Sequence, residues 1–177
     1  MDVKSACLGV LACGDATGYE IRKQFEEGPF GHFFHAGFGS IYPALNRLQT
    51  EGLVSCMSLT QDRRPDKKIY TITAKGERTL QNVLMEAPDI DKVRSDFMFI
   101  VFFGERLPAD WLEKVIDQRI AWYRGVLDTM CQDTEHHATP GQKFAHGFGV
   151  EIYRTAADYL ENHKAELITA ARKDSAA

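Results

Sequence analysis

Two clusters of polar side chains in the first half of the chain are spaced for work on nucleic acid. Ser40, Tyr42, Asn46 and Arg47 point away from the stripe that Ile41, Ala44, Leu45 and Leu48 make in a helical register starting at Ser40. Asn pairs bidentately with adenine and Arg with guanine, while Ser and Tyr hydroxyls suit phosphate oxygens. Further on, Arg63, Arg64, Lys67 and Lys68 crowd the turn-prone run Gln61-Asp62-Arg63-Arg64-Pro65-Asp66-Lys67-Lys68. Cations in such a run neutralise adjacent phosphates or enter a minor groove, and Pro65 stiffens it.

A helix must carry the first cluster and a hairpin the second. Gly52 ends the helix, because glycine takes the left-handed cap conformation without a side-chain clash. Leu53, Val54, Met57 and Leu59 then read as one strand and Ile69 to Thr73 as a second, with the basic run as the tip between them. Upstream, Val3, Leu8, Val10 and Leu11, with Ala6, Cys7, Ala12 and Cys13 interleaved, predict a first helix buried on several sides. Thr17 and Glu20 form the capping box of a second, with Ile21 and Phe25 inside and Gly28-Pro29-Phe30-Gly31 as its stop. Phe33, Phe34 and Phe38 seal the corner before the third helix. Thr73 caps a fourth, with Leu80, Val83 and Leu84 inside. Three helices, a basic hairpin and a closing helix make a winged helix-turn-helix.

Ala87-Pro88-Asp89 separates this domain, residues 1–86, from a helical second domain, residues 87–177. One helix is expected over Asp91 to Gly104, through Val93, Phe97, Ile100 and Val101. Another starts at Pro108-Ala109-Asp110 and runs through Leu112, Val115, Ile116, Ile120, Tyr123, Leu127 and Met130. Thr134 to Gln142 reads as a loop, and the last helix repeats Phe144, Phe148, Ile152, Ala156, Tyr159, His163 and Leu167 at steps of three and four. Trp111, Trp122 and Val126 add a second apolar face to the middle helix. So much apolar surface on three helices implies a homodimer, with a self-contained bundle as the alternative. Trp111, Trp122, Tyr123 and Phe148 are the candidates for an effector pocket or for the dimer interface itself.

The net charge of −4 does not advertise a nucleic-acid binder, but its distribution does. Residues 1–86 carry ten Lys/Arg against ten Asp/Glu, so the whole deficit sits in the helical half, and Asp62 to Arg78 holds six positive against three negative. The start, MDVKSACLGV, is a poor signal peptide, and the most apolar run, Phe97 to Phe103, is far short of the ~20 residues a membrane span needs. A cytoplasmic location follows as the expectation. Cys7, Cys13, Cys56 and Cys131 lack metal-finger or C-x-x-C spacing and read as reduced thiols. His32 and His35 stand three apart with no further ligand nearby, so neither a metal nor a cofactor is expected. No nucleophile with its base and no catalytic carboxylate pair can be read, which argues against an enzyme.

Gly18-Tyr19-Glu20-Ile21, Gly39-Ser40-Ile41-Tyr42-Pro43-Ala44-Leu45-Asn46-Arg47-Leu48, Glu51-Gly52-Leu53-Val54 and Lys68-Ile69-Tyr70-Thr71-Ile72-Thr73-Ala74-Lys75-Gly76 together resemble the PadR family of bacterial transcriptional regulators. The second half is similar to the virulence-activator-type helical domain of the larger subfamily, on its length, Arg106-Leu107 before a helix and Tyr159-Leu160-Glu161. The resemblance implies a dimeric repressor that binds an inverted repeat of double-stranded DNA and is released by a small aromatic effector such as a phenolic acid, or by a hydrophobic drug. It extends the DNA-contacting set to Thr17, Tyr19, Ser40, Tyr42, Asn46, Arg47, Arg63, Arg64, Lys67 and Lys68. Phe34 departs from the family, which often has tryptophan there. The alternative is a protein-interaction module whose basic tip meets an acidic partner.

Overall fold

A computed structural model describes residues 1–32, 34, 38–61, 64–91, 94–132 and 139–174. The chain forms two compact units, Met1–Ile90 and Asp91–Ala177, dividing just past the Pro88 segment where Leu84 to Ile90 are all exposed.

In the first unit, α1 (Val3–Ala12) buries Ala6, Cys7, Leu8, Val10 and Leu11, as its nearly unbroken apolar sequence demands. It packs against α3 (Phe38–Thr50) and α4 (Ala74–Leu84). Burial pushes the Cys7 thiol up to about 12, so this cysteine stays a neutral core group. All four cysteines are free. α2 (Gly18–Glu26) opens on the expected capping box: the Glu20 amide donates to Thr17 Oγ1 at 3.2 Å and the Thr17 amide to Glu20 Oε2 at 2.8 Å. Where the sequence suggested only a stop, a 3-10 turn follows over Pro29–His32. Phe30 and Phe34 lie 5.9 and 6.0 Å from Phe25, so Phe34 fills the corner with a smaller ring. Phe33 and the Phe38 side chain lie outside the described residues.

α3 ends in a Schellman motif. Gly52 has φ 68°, its amide donates to the Gln49 carbonyl at 3.0 Å, and the Leu53 amide donates to Leu48 at 2.8 Å. Leu48 and Leu53 are both buried beneath it. The sheet has three strands rather than two. β1 (Ala16–Thr17), β2 (Val54–Gln61) and β3 (Arg64–Ile72) lie in the order β1-β3-β2, all antiparallel. β1 pairs Ala16 with Tyr70 and Thr17 with Ile69, tying the start of α2 to the sheet. β3 begins at Arg64, not Ile69, so Lys67 and Lys68 stand on a strand opposite Leu59 and Ser58, with a register shift between Leu59 and Gln61. A strand held by its backbone ladder at a solvated hairpin end needs no apolar alternation, so polar sequence there conceals it.

α4 is fixed by its cap. The Gly76 amide donates to Thr73 Oγ1 at 3.1 Å, while the Thr73 amide and hydroxyl donate to the Leu53 carbonyl at 3.0 Å each. A Cβ on Gly76 would fall 2.1 Å from that carbonyl oxygen, so only glycine fits. Leu80 is buried as expected, but Leu84, the last residue of α4, is 66% exposed.

In the second unit α5 is shorter than expected, Asp96–Phe102, capped by the Ser95 hydroxyl. Phe97 is buried, whereas Phe99 and Phe102 face solvent; Val93 lies outside the described residues. α6 (Ala109–Gln132) buries Leu112, Ile116, Ile120, Leu127 and Met130, each fully buried aliphatic worth about 1.5–3 kcal/mol over exposure. α7 (Pro140–Asp174) starts earlier than the expected loop end, with Thr139 and Gln142 capping each other and proline at the first helical position. α6 and α7 run antiparallel, clamped by Arg124 to Asp158 (2.6 Å) and Glu161 (2.5 Å) and by Lys164 to Asp117 (2.5 Å).

The face of α7 is the reverse of the one its larger residues suggest. Val150, Ala157, Ile168 and Ala171 are buried within the unit, while Phe144, Phe148, Ile152 and Tyr159 are 79, 63, 52 and 61% exposed. Small residues win the inner face because α6 approaches closely: a Cβ on Gly149 would lie 3.2 Å from the Met130 side chain. Met130 is two residues from the end of α6, so only Pro140 to about His146 lie past the described end of α6, roughly 10 Å of helix.

Candidate nucleic-acid interface

α3 sorts its side chains as its periodicity predicts. Ile41, Ala44, Leu45 and Leu48 are buried, Tyr42, Asn46 and Arg47 are exposed, and Ser40 is half-buried. Pro43 has no amide to give the Gly39 carbonyl, and Gly39 is exposed one turn earlier. Arg47 has no ion-pair partner among the described residues, and neither has Lys68 on β3.

Tyr42 is held by a residue the chemistry of the sequence does not single out. Its ring lies against Gly18 so closely that a Cβ there would sit 2.6 Å from Tyr42 Cε1. Glycine at the first position of α2 thus sets where the Tyr42 hydroxyl points; the available signal was a poor helix former at a helix start. Tyr19, next in α2, is 64% exposed.

Thr17 does not belong on the contact surface. It is 7% exposed, its hydroxyl donates to Glu20 Oε2 at 2.8 Å and accepts the Glu20 amide, and its backbone pairs in β1. Hydrogen bonds from the Thr17 backbone and hydroxyl hold the Glu20 carboxyl below its ordinary range, with Lys67 adding to the effect. Lys67 reaches Glu20 at 3.6 Å, so this expected phosphate contact also braces the wing against α2. Arg63 and the Arg64 side chain lie outside the described residues; the Arg64 backbone pairs with Gln61 at the start of β3.

The effector candidates divide. Trp122 lines an open cleft of about 390 Å³ with Phe97, Ile100, Val115, Gln118 and Arg119. Tyr123 packs beside it, its ring 5.1 Å from Trp122, and Tyr153 of α7 lies 5.9 Å from each. Trp111 and Phe148 are not among the lining residues. Sequence reasoning missed Arg119 and Gln118, although Arg119 stands one helical turn before Trp122. Among the described residues no cluster of His, Cys, Asp or Glu could hold a metal ion, with His35 and the His32 side chain outside them. None of the described helices is long and apolar enough to cross a membrane.

Comparison with known proteins gives a consistent answer. The sequence profile of the Transcriptional regulator PadR-like family matches residues 7–82. The Negative transcriptional regulator PadR of Bacillus subtilis (strain 168) is 34% identical over 102 residues, 57% of this chain; that match spans only 56% of the relative's own length. Among solved structures, smu.1604c from Streptococcus mutans UA159 superposes with a TM-score of 0.82 at 29% identity, covering 93% of this chain and 99% of the other. Bacillus subtilis PadR in complex with operator DNA gives 0.78 at 26% identity (93% and 98%), and the same protein in complex with p-coumaric acid 0.70 at 25% (93% and 98%). With the winged-helix motifs of α2, α3 and the hairpin in the matched segment and the fold shared with these solved structures over nearly the whole chain, residues 7–82 match the PadR-like family of transcriptional regulators.

Proposed function

We propose that this chain is a dimeric, sequence-specific DNA-binding repressor released by a small aromatic or hydrophobic effector. The observation that carries the reading is the exposed face of α3, with Tyr42, Asn46 and Arg47 presented beside a β3 strand that bears Lys68. In a major groove, Asn46 and Arg47 would read adenine and guanine edges while Tyr42 and Lys68 hold phosphates. The likeness to Bacillus subtilis PadR, solved with operator DNA and with p-coumaric acid, supports both halves of the proposal.

Dimerisation is supported by α7. Its exposed Phe144, Phe148 and Ile152 recur every fourth residue, and Phe144 lies on helix past the described end of α6. An exposed stripe of large apolar side chains is a surface that a second copy of the chain would cover. Two recognition helices set about 34 Å apart match successive major grooves, and an effector that prefers another spacing weakens DNA binding by its differential affinity for the two states.

The test is selection of bound sites from random DNA, followed by fluorescence anisotropy on the winning site. A palindromic site is expected. Asn46→Ala should cost about 1–3 kcal/mol of base discrimination at one position. Lys68→Ala should lower the slope of log affinity against log salt by about 0.9 while leaving base preference alone. Wild-type behaviour of both variants would remove α3 and the wing from the DNA.

A further inference from the structure

A carboxylate stands among the cations of the candidate interface. Glu20 is the acidic residue in the first turn of α2, next to the exposed Tyr19. Both of its oxygens are engaged: the Thr17 amide and hydroxyl each donate to Oε2 at 2.8 Å, and Lys67 Nζ lies 3.6 Å from Oε1. The strand register brings these groups together, since Thr17 pairs with Ile69 and Lys67 stands two residues earlier on the same face of β3. The two Thr17 donors fix the carboxylate in place, whereas the lysine ammonium rides on a flexible four-carbon stem. Lys68, opposite Ser58 on the same strand, meets no carboxylate among the described residues.

We propose that Glu20 competes with DNA for Lys67: the fixed carboxylate holds the ammonium in the free protein and remains beside it in the complex, lowering affinity for the phosphate backbone. The inference rests on the DNA-binding reading above and deepens it, because it gives Lys67 and Lys68 unequal parts. Glu20 is a positioning residue that acts through Lys67. A carboxylate and a phosphate sharing one ammonium lie roughly 6–7 Å apart, where like charges at a solvated surface repel by an amount worth about 3- to 10-fold in affinity. Bracing of the wing by the same pair is the smaller effect, since a solvated ion pair stabilises little and the β1–β3 ladder already ties α2 to the sheet. Phosphate contacts carry no sequence information, so the restraint weakens every duplex alike and leaves the choice of site to α3.

Fluorescence anisotropy of the full-length chain tests this on a selected duplex and a random one, over about 50 to 200 mM salt. Glu20→Gln keeps the capping box, in which glutamine serves as well as glutamate, and thermal melts establish that it is folded. It should bind both duplexes about 3- to 10-fold more tightly at the low-salt end, with a slope of log affinity against log salt steeper by up to about 0.9. Lys67→Ala should flatten that slope by less than about 0.5 in wild type but by about 0.9 in the Glu20→Gln background, whereas Lys68→Ala should flatten it by about 0.9 in both. Equal or weaker binding by Glu20→Gln at an unchanged slope overturns the proposal and leaves Glu20 a brace. So does an effect of Lys67→Ala that is the same in both backgrounds. Should neither wild type nor Glu20→Gln bind any duplex, elution from immobilised heparin separates the two ideas. A higher eluting salt for Glu20→Gln, returned to the wild-type value by Lys67→Ala, would end the DNA reading and keep the restraint; no difference between the variants on heparin would end both.

Discussion

Gly18→Ala separates the fold of the winged helix from its contact with DNA. The new methyl would lie 2.6 Å from Tyr42 Cε1 and 3.3 Å from Cδ1 and Cζ, so the ring must swing aside. Tyr42 is half-exposed on the free face of α3, and its ring can move without breaking the core. Alanine recovers up to about 1 kcal/mol of helix propensity over glycine, offsetting the steric cost, so the melting temperature should stay within about 4 °C of wild type. DNA affinity should fall by about 1–1.5 kcal/mol, roughly 5- to 12-fold, the worth of one hydroxyl–phosphate hydrogen bond. A double-mutant cycle by fluorescence anisotropy isolates the route. In a Tyr42→Phe background, which keeps the ring but has no hydroxyl to misplace, Gly18→Ala should cost less than about 0.5 kcal/mol more. A full additional loss in that background, or wild-type affinity of Gly18→Ala alone, would refute the idea that Gly18 acts by aiming Tyr42.

Gly76→Ala should destabilise the first unit by about 2–4 kcal/mol in urea unfolding, because its Cβ meets the Leu53 carbonyl at 2.1 Å and Ile72 Cγ1 at 2.8 Å; a wild-type midpoint would mean that the cap of α4 can shift. Glu20→Gln should lower the melting temperature slightly near pH 7. The folded-state pKa of Glu20 lies below its ordinary 4.5, so its charge stabilises above that pH and the contribution is lost as pH falls through the folded value. The gap between variant and wild type should therefore close in acid, and parallel curves from pH 7 to 3 would sink the assignment. Ile152→Asp, placed on the exposed stripe of α7, should weaken self-association at least about 100-fold in analytical ultracentrifugation, with its helical signal otherwise retained at high concentration; an unshifted dimer would put the subunit contact elsewhere.

Much of the first unit was legible because short-range chemistry decides it. The faces of α3, the Thr17–Glu20 and Thr73 caps and the Gly52 stop each follow from residue type at fixed spacing, and each is realised as read. β1 was not legible, since a strand of two residues has no periodicity and exists only because Tyr70 and Ile69 are beside it. The reach of β3 back to Arg64 was hidden for a different reason: the run of charges with Pro65 signals a turn, yet backbone pairing tolerates both at a hairpin end. In the second unit periodicity found one stripe on α7, from Phe144 to Leu167, but could not say whether it turns inward. The inner face went to Ala157, Ala171 and Gly149, whose size lets α6 come close, and most of the larger residues were left outside. The candidate site shows the same split. Asn46, Arg47 and Tyr42 could be named from the sequence, but Gly18 acts only through a neighbour distant in the chain, and Arg119 becomes a candidate only when Phe97 and Trp122 are seen around it.

The exposed stripe of α7 would tie self-association to the ordering of its side chains. In a chain that pairs through Phe144, Phe148 and Ile152, their rotamers are fixed only on encounter, at about 0.5–1.5 kcal/mol per side chain before new contacts offset it. Dilution would then separate the subunits and leave each monomer with a single recognition helix. Occupancy of a two-fold site would climb more steeply than in proportion to the amount of protein made, giving the cell a threshold in expression level.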